Sequence, residues 1–200
     1  MPLRYDPPPI DGPLLQGELL ADIWEHRSLY PPVEHPTNVD IDIASIKHDL
    51  MVVMSAACDL EFDFKERFPT GELQEPENLP WEAEKQHKIV PYLQLCDAFY
   101  EAGFRAGIDQ LMASKIWQRV QTNQDVRYHH LAAAPIGQPV TETLADLYLD
   151  FKKTLALPTA SVYEALRLGG VRRVAVLPPI YVHDLLQRHG SFHGRIGTPD

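Results

Sequence analysis

The pattern of apolar and polar positions is strongest over residues 39–65, VDIDIASIKHDLMVVMSAACDLEFDFK. Val39, Ile41 and Ile43 alternate with Asp40, Asp42 and Ala44, the period-2 signature of a half-buried strand. The run 50–57, apolar apart from Ser55, predicts a second strand, buried on both faces. It ends in Cys58-Asp59, so a thiol and a carboxylate are expected where a core strand leaves the core. Leu60, Phe62 and Phe64 then alternate with Glu61, Asp63 and Lys65, which predicts that the chain stays extended past Cys58.

Residues 17–26 predict a first strand with Leu19, Ala21 and Ile23 on one face, and 88–98, 127–134 and 172–177 predict further short strands. In 147–155, Leu147, Leu149 and Phe151 face one side while Tyr148, Asp150 and Lys152 face the other. Ile108, Leu111, Met112, Ile116 and Val120 recur at helical spacing, so 107–121 is expected as one helix, bordered by Trp117. Pro158-Thr159 opens a short helix with Thr159 as N-cap and Gly169-Gly170 as the stop. Pro178-Pro179 opens a last helix whose buried face is Val182, Leu185, Leu186 and His189. Together these elements predict an α+β fold: a small curled antiparallel sheet or barrel with inserted and C-terminal helices.

Proline changes this picture at two places. Five of the 18 prolines fall within residues 1–13, so 1–16 is expected as an extended proline-rich arm ahead of a single domain over 17–197. Pro69, Pro76 and Pro80 punctuate an acidic loop at 68–84. Loops of this length are often functional. Glu72, Glu75, Glu77, Trp81 and Glu82 of this loop, with Trp117 of the helix, are the expected partner-binding residues.

The composition is that of one soluble domain, with 200 residues, 44% hydrophobic and 23% charged. No run of about 18 apolar residues predicts a membrane span, and the N-terminus lacks the apolar segment of a secretory signal. Two cysteines without framework spacing fit a reducing cytoplasm. The net charge of −10 is uneven: residues 1–100 carry 7 Lys/Arg against 19 Asp/Glu, a net of −12, and residues 101–200 carry 11 against 9, a net of +2. An acidic half without a basic stripe disfavours nucleic acid and favours a basic protein partner; a solvated acidic surface is the alternative.

Several residues are candidates for chemistry. Cys58 could be a thiol nucleophile if His129 or His130, on adjacent positions of one strand, supplied the base; packing in the core is the competing reading. Asp59 could bind or catalyse, or bond the backbone of the turn that follows the strand. Asp63-Phe64-Lys65 resembles the (Asp/Glu)-x-Lys strand of restriction-like nucleases, which implies a magnesium ion held by Asp63 with Asp49 or Asp59, and Lys65 supporting the attacking water. The same tripeptide recurs as Asp150-Phe151-Lys152. Asp59-x-Glu61-x-Asp63 lacks the glycine and distal glutamate of a calcium loop, and Gly190 interrupts the metal-like spacing of His189 and His193. No phosphate-binding glycine loop or Gly-x-Ser-x-Gly elbow occurs, and no cofactor is expected.

Ser55-x-x-Cys58-Asp59-Leu60 resembles the Ser-x-x-Cys-Asp-(Leu/Ile) motif of a set of uncharacterised bacterial proteins. Gly17-Glu18-Leu19, Arg127-Tyr128, Asp150-Phe151-Lys152 and Arg195-Ile196-Gly197 match their other recurring segments. The opening strands are also distantly similar to the PemK/MazF endoribonuclease toxins, with His48 to Ser55 in place of the toxins' Arg-Pro-Val-Val-Val strand. The arginine-proline pair is absent here, so the resemblance implies a non-cleaving SH3/PemK-like barrel that regulates by binding another protein, in a bacterial stress or antiphage system. The alternative is a metal- or cysteine-dependent enzyme acting on nucleic acid.

Overall fold

Asp42–Val53 is one strand (β2), not two. In it His48, Leu50 and Val52 point to the core, and this parity runs back to leave Ile43 65% exposed with Ala44 and Ile46 half-buried. Side chains on a strand alternate strictly, so the buried half dictates the phase of the whole strand and turns Ile43 outward, while Val39 and Ile41 lie outside the described residues. In the computed structural model the described residues are 3–29, 42–73, 86–108, 114–135 and 143–195.

The other strands are β1 (Glu18–Leu29), β3 (Tyr92–Tyr100), β4 (Tyr128–Leu131), β5 (Leu147–Pro158) and β6 (Arg172–Val176). All neighbours are antiparallel, in the order β4-β5-β3-β2-β1-β6. The sheet curls but does not close, so the curled-sheet form of the expected α+β fold is the one adopted. Among the described residues five α-helices accompany it: α1 (Ala57–Arg67), α2 (Glu101–Ile108), α3 (Ser114–Gln121), α4 (Thr159–Arg167) and α5 (Pro179–His193).

The chain past Cys58 is helical rather than extended. Leu60, Asp63 and Phe64 are the buried residues of α1, at i, i+3 and i+4, and Phe62, expected inward, is 55% exposed. Positions 60, 64 and 68 satisfy a period of two and of four alike, so alternation could not separate strand from helix here. Asp59 in the first turn and Lys65 and Arg67 in the last suit the helix dipole. The helix expected over 107–121 is α2, which begins at Glu101 directly after β3, and α3; Leu111 and Met112 lie outside the described residues, and Ile116 is exposed. Thr159 is the first residue of α4 rather than its cap, which is Pro158, and Gly169 at φ 72° follows the helix end as expected. α5 runs through Gly190 to His193 without a break.

One face of the sheet packs Leu19, Leu50, Val52, Cys96, Leu149 and Phe151 against α5 through Leu185. The opposite face packs Leu20, Met51, Val53 and Leu95 against Leu60 and Phe64 of α1 and Val162 and Tyr163 of α4. Phe104 of α2 and Val120 of α3 meet Tyr128 and Tyr148 in a third, smaller cluster. The proline-rich arm belongs to the fold from residue 3 onward: Leu3, Tyr5 and Leu14 are buried, and Asp6 exchanges two backbone hydrogen bonds of 2.9 Å with Val176. The domain therefore begins well before residue 17.

The ladders do not run the full length of the strands. β3 pairs with β2 only through Leu95, Cys96 and Asp97, against Val53, Val52 and Met51. β6 pairs with β1 only along Glu18–Ala21. Beyond these contacts, among the described residues, β1 and β2 pair only with each other, from Ile23↔His48 to Leu29↔Asp42, as a two-stranded ribbon projecting from a fork in the sheet.

Candidate functional site

The reactive residues of the 58–65 segment do not converge. Cys58 and Asp59 occupy the first turn of α1, where both are exposed, so neither the core reading of Cys58 nor a strand-end role for Asp59 is realised. The thiol donates to Asp59 Oδ1 at 3.3 Å. Asp59 and Phe62 border an open cavity of about 530 Å3 whose other wall is His87, Ile89 and Val90. Asp63 turns inward: its carboxylate accepts Arg67 Nε at 2.8 and 2.9 Å and the Val90 amide at 2.8 Å, while Arg67 donates to the Val90 carbonyl. This clamp ties the returning chain to α1. Lys65 points out to Glu61 at 2.6 Å. A helix separates the groups that the nuclease-like strand would have aligned.

The second Asp-Phe-Lys tripeptide behaves alike. Asp150 is fully buried and accepts two bonds from Arg127, 2.7 Å from Nε and 2.6 Å from Nη2, the bidentate geometry that guanidinium favours. Both tripeptides thus commit their aspartate to an arginine. The two Cys-Asp pairs share no environment either: Cys96 is buried in β3, where burial pushes its thiol up to about 12.

His129 and His130 point to opposite faces of β4, as adjacent strand residues must. His129 is buried beside Phe151, and burial with the Arg188 charge lowers its pKa to about 3, so it is neutral. His130 stacks on Tyr148 at 4.9 Å and bonds the Gln121 carbonyl. Neither histidine bonds Cys58, which lies with α1 in a different packing layer. Trp117 packs on Tyr148 at 4.9 Å and Phe104 at 6.1 Å, and Arg105 covers its ring at 4.8 Å, so it serves the interior more than a docking face. Glu72 is exposed; Glu75, Glu77, Trp81, Glu82 and most of the 68–84 loop lie outside the described residues. His189 and His193, with rings 4.4 Å apart, bond Thr154 and the Phe151 carbonyl, and no cluster of three metal-ligating side chains occurs among the described residues.

Two features that the sequence reading missed stand at the fork. His48 of β2 bonds Asp97 of β3 through Nδ1 at 2.6 Å and Glu25 of β1 through Nε2 at 3.1 Å. The hydrogen bond to Asp97, helped by Glu25, raises the His48 pKa against the opposing effect of burial. With both ring nitrogens facing acceptors and no nucleophile bonded to it among the described residues, this histidine is a three-strand clasp rather than a general base. A polar residue on the core parity of β2, at 48 with 50 and 52, was its sequence signal.

The second feature is an apolar cavity of about 410 Å3 at the base of the ribbon. Ile23, Trp24 and His26 of β1 form one wall, Leu157 and Pro158 of β5 another, and α4 supplies the floor with Val162 and Ala165. β1 and β5 are three places apart in the sheet, so only its curl brings them together. The indole of Trp24 is 51% exposed at the mouth.

Known proteins offer no guide to this arrangement. No family model matches the chain, and no curated protein or solved structure matches it. The site must be read from its own geometry. Its apolar part can take a side chain, while its acids and bases are held in internal ion pairs.

Proposed function

We propose that this protein is a non-catalytic regulator or adaptor that works by binding another protein. The observation that carries this reading is the exposed indole of Trp24 over an apolar cavity, on a ribbon that projects from the sheet. Half-exposed tryptophan beside an apolar pocket is the composition of a binding hot spot. The net charge of −12 over the first hundred residues, which include the ribbon, supports a protein ligand over a phosphate backbone.

The alternative, an enzyme acting on nucleic acid, would need Cys58 with a histidine, or Asp63 with Lys65, in one open site. Cys58 sits apart from both histidines, and Asp63 is sequestered by Arg67, which counts against it. No helix among the described residues is long and apolar enough to cross a membrane.

The test is a tagged pull-down from the native host, followed by reconstitution of the recovered partner with purified protein. A defined stoichiometric complex is the expected result. Recovery with RNA or metal and no protein, together with nuclease activity abolished by Cys58→Ser or Asp63→Asn, would overturn the reading.

A further inference from the structure

His189 and His193 have the spacing of a metal-binding pair, which the sequence alone set aside because Gly190 lies between them. The structure removes that objection. α5 continues through Gly190, whose carbonyl accepts the Gly194 amide at 2.8 Å. The two imidazoles therefore stand one turn apart on one face of the helix, with ring centres 4.4 Å apart. His189 is half-buried and His193 exposed, so the pair opens to solvent.

A chain of hydrogen bonds fixes both tautomers. The Phe151 carbonyl can only accept, so His193 Nε2, 3.1 Å from it, carries a proton. The Thr154 hydroxyl donates to the same carbonyl at 3.1 Å, which leaves its oxygen to accept from His189 Nε2 at 3.4 Å. With both Nε2 atoms protonated, the neutral rings carry their lone pairs on Nδ1, and no hydrogen bond to either Nδ1 occurs among the described residues. Burial, with the His193 charge beside it, lowers the His189 pKa and so favours the neutral ring. Metal-ligating histidines are held in this way: one ring N–H donates to a fixed acceptor such as a backbone carbonyl, and the other nitrogen meets the metal.

We infer that His189 and His193 hold one divalent transition-metal ion between their Nδ1 atoms, with water completing its shell, at the end of α5. Two neutral nitrogens select the Cu2+, Ni2+ and Zn2+ end of the divalent series. Hard cations such as Mg2+ and Ca2+ take oxygen ligands and gain nothing from this pair. The ion needs both rings one turn apart, so it favours the folded helix over the unfolded chain and holds the last turn of α5 onto β5. The site goes beyond the protein-binding reading and does not depend on it.

The test uses the full chain carrying Cys58→Ser, which removes the exposed thiol as a competing ligand. Cu2+ and Zn2+ are titrated by calorimetry with Mg2+ as the control, and trace Cu2+ is added to an NMR sample to map paramagnetic broadening. One equivalent of each transition ion should bind, Cu2+ more tightly than Zn2+, with the resonances of His189 and His193 broadened first. His189→Gln and His193→Gln keep an amide donor for Thr154 and Phe151 but lose the ligand, and each should weaken the ion at least about tenfold. Melting temperature in metal-free buffer should stay near that of the parent in both variants. The proposal is overturned if neither ion binds, if Mg2+ binds as tightly as Zn2+, or if both variants bind as the parent does. Broadening centred on His26, His87 or His183 would overturn it as well. That map is made on the unsubstituted pair, so it decides the matter even where a glutamine unfolds α5.

Discussion

His48 Nδ1 lies 2.6 Å from Asp97 Oδ1, bridging β2 and β3 three residues along β2 from Met51, the partner of Asp97 in the last backbone pair that joins the strands. Nε2 of the same ring faces Glu25. Carboxylates only accept, so both contacts are hydrogen bonds when the ring carries both protons, the cationic form that its raised pKa favours.

That charge gives a pH dependence with a defined sign. The folded pKa of His48 is raised, so its stabilisation is fully present below the ordinary histidine value of about 6.5 and is lost as pH rises through the folded value. Melting temperature should fall across that interval, and a histidine resonance titrating above 6.5 should track it by NMR. His48→Ala leaves two carboxylates facing each other and should cost about 3 kcal/mol in urea unfolding. A wild-type slope in the variant would sink the assignment.

Glu18 has the opposite sign for an acid. It is fully buried under the arm, accepting the Leu15 amide at 2.8 Å with Arg173 3.4 Å away, and burial pushes its pKa up to about 7. The native state therefore binds a proton that the unfolded state has released, and stability should decline as pH rises from about 4.5 to 7. Glu18→Gln keeps the acceptor for Leu15, and its melting temperature at pH 8 should exceed that of wild type. A lower one would show that the Arg173 pairing outweighs burial.

Asp63→Asn halves the charge clamp that holds residue 90 to α1. Arg67 stays largely buried without its counter-charge, so destabilisation of about 3 kcal/mol is expected in denaturant melts. Nuclease assays before and after the change should both be blank.

Gly17 sits at φ 81°, and an added Cβ would overlap Val182 and lie 3.2 Å from Leu177. Gly17→Ala should cost about 2 kcal/mol or more, from left-handed strain and from lifting α5 off the sheet. A neutral change would mean that α5 moves freely.

The two thiols should separate cleanly. Cys58 is exposed and Cys96 is not, so one equivalent should react with a disulfide reagent in the native protein and two after denaturation. Cys58→Ser should move stability by less than about 0.5 kcal/mol.

The sequence by itself determined the class of the fold and most of its elements. Leu147, Leu149 and Phe151 alternate as a strand must, and Pro158, Gly169 and Pro179 punctuate the helices, because backbone preference and period are local properties. It also held both Asp-Phe-Lys tripeptides but not their meaning. Whether Asp63 was a ligand or an anchor depended on Arg67 one helical turn away, and on 57–67 being a helix at all, which a spacing of four left ambiguous. Tertiary structure alone decided the fork and the cavity. Glu25, His48 and Asp97 come from three strands, and Trp24 meets Leu157 only because the sheet curls, so no window along the chain contains either site. Long-range pairing places such groups together, and it is set by the packing of whole strands rather than by the residues that later share the site.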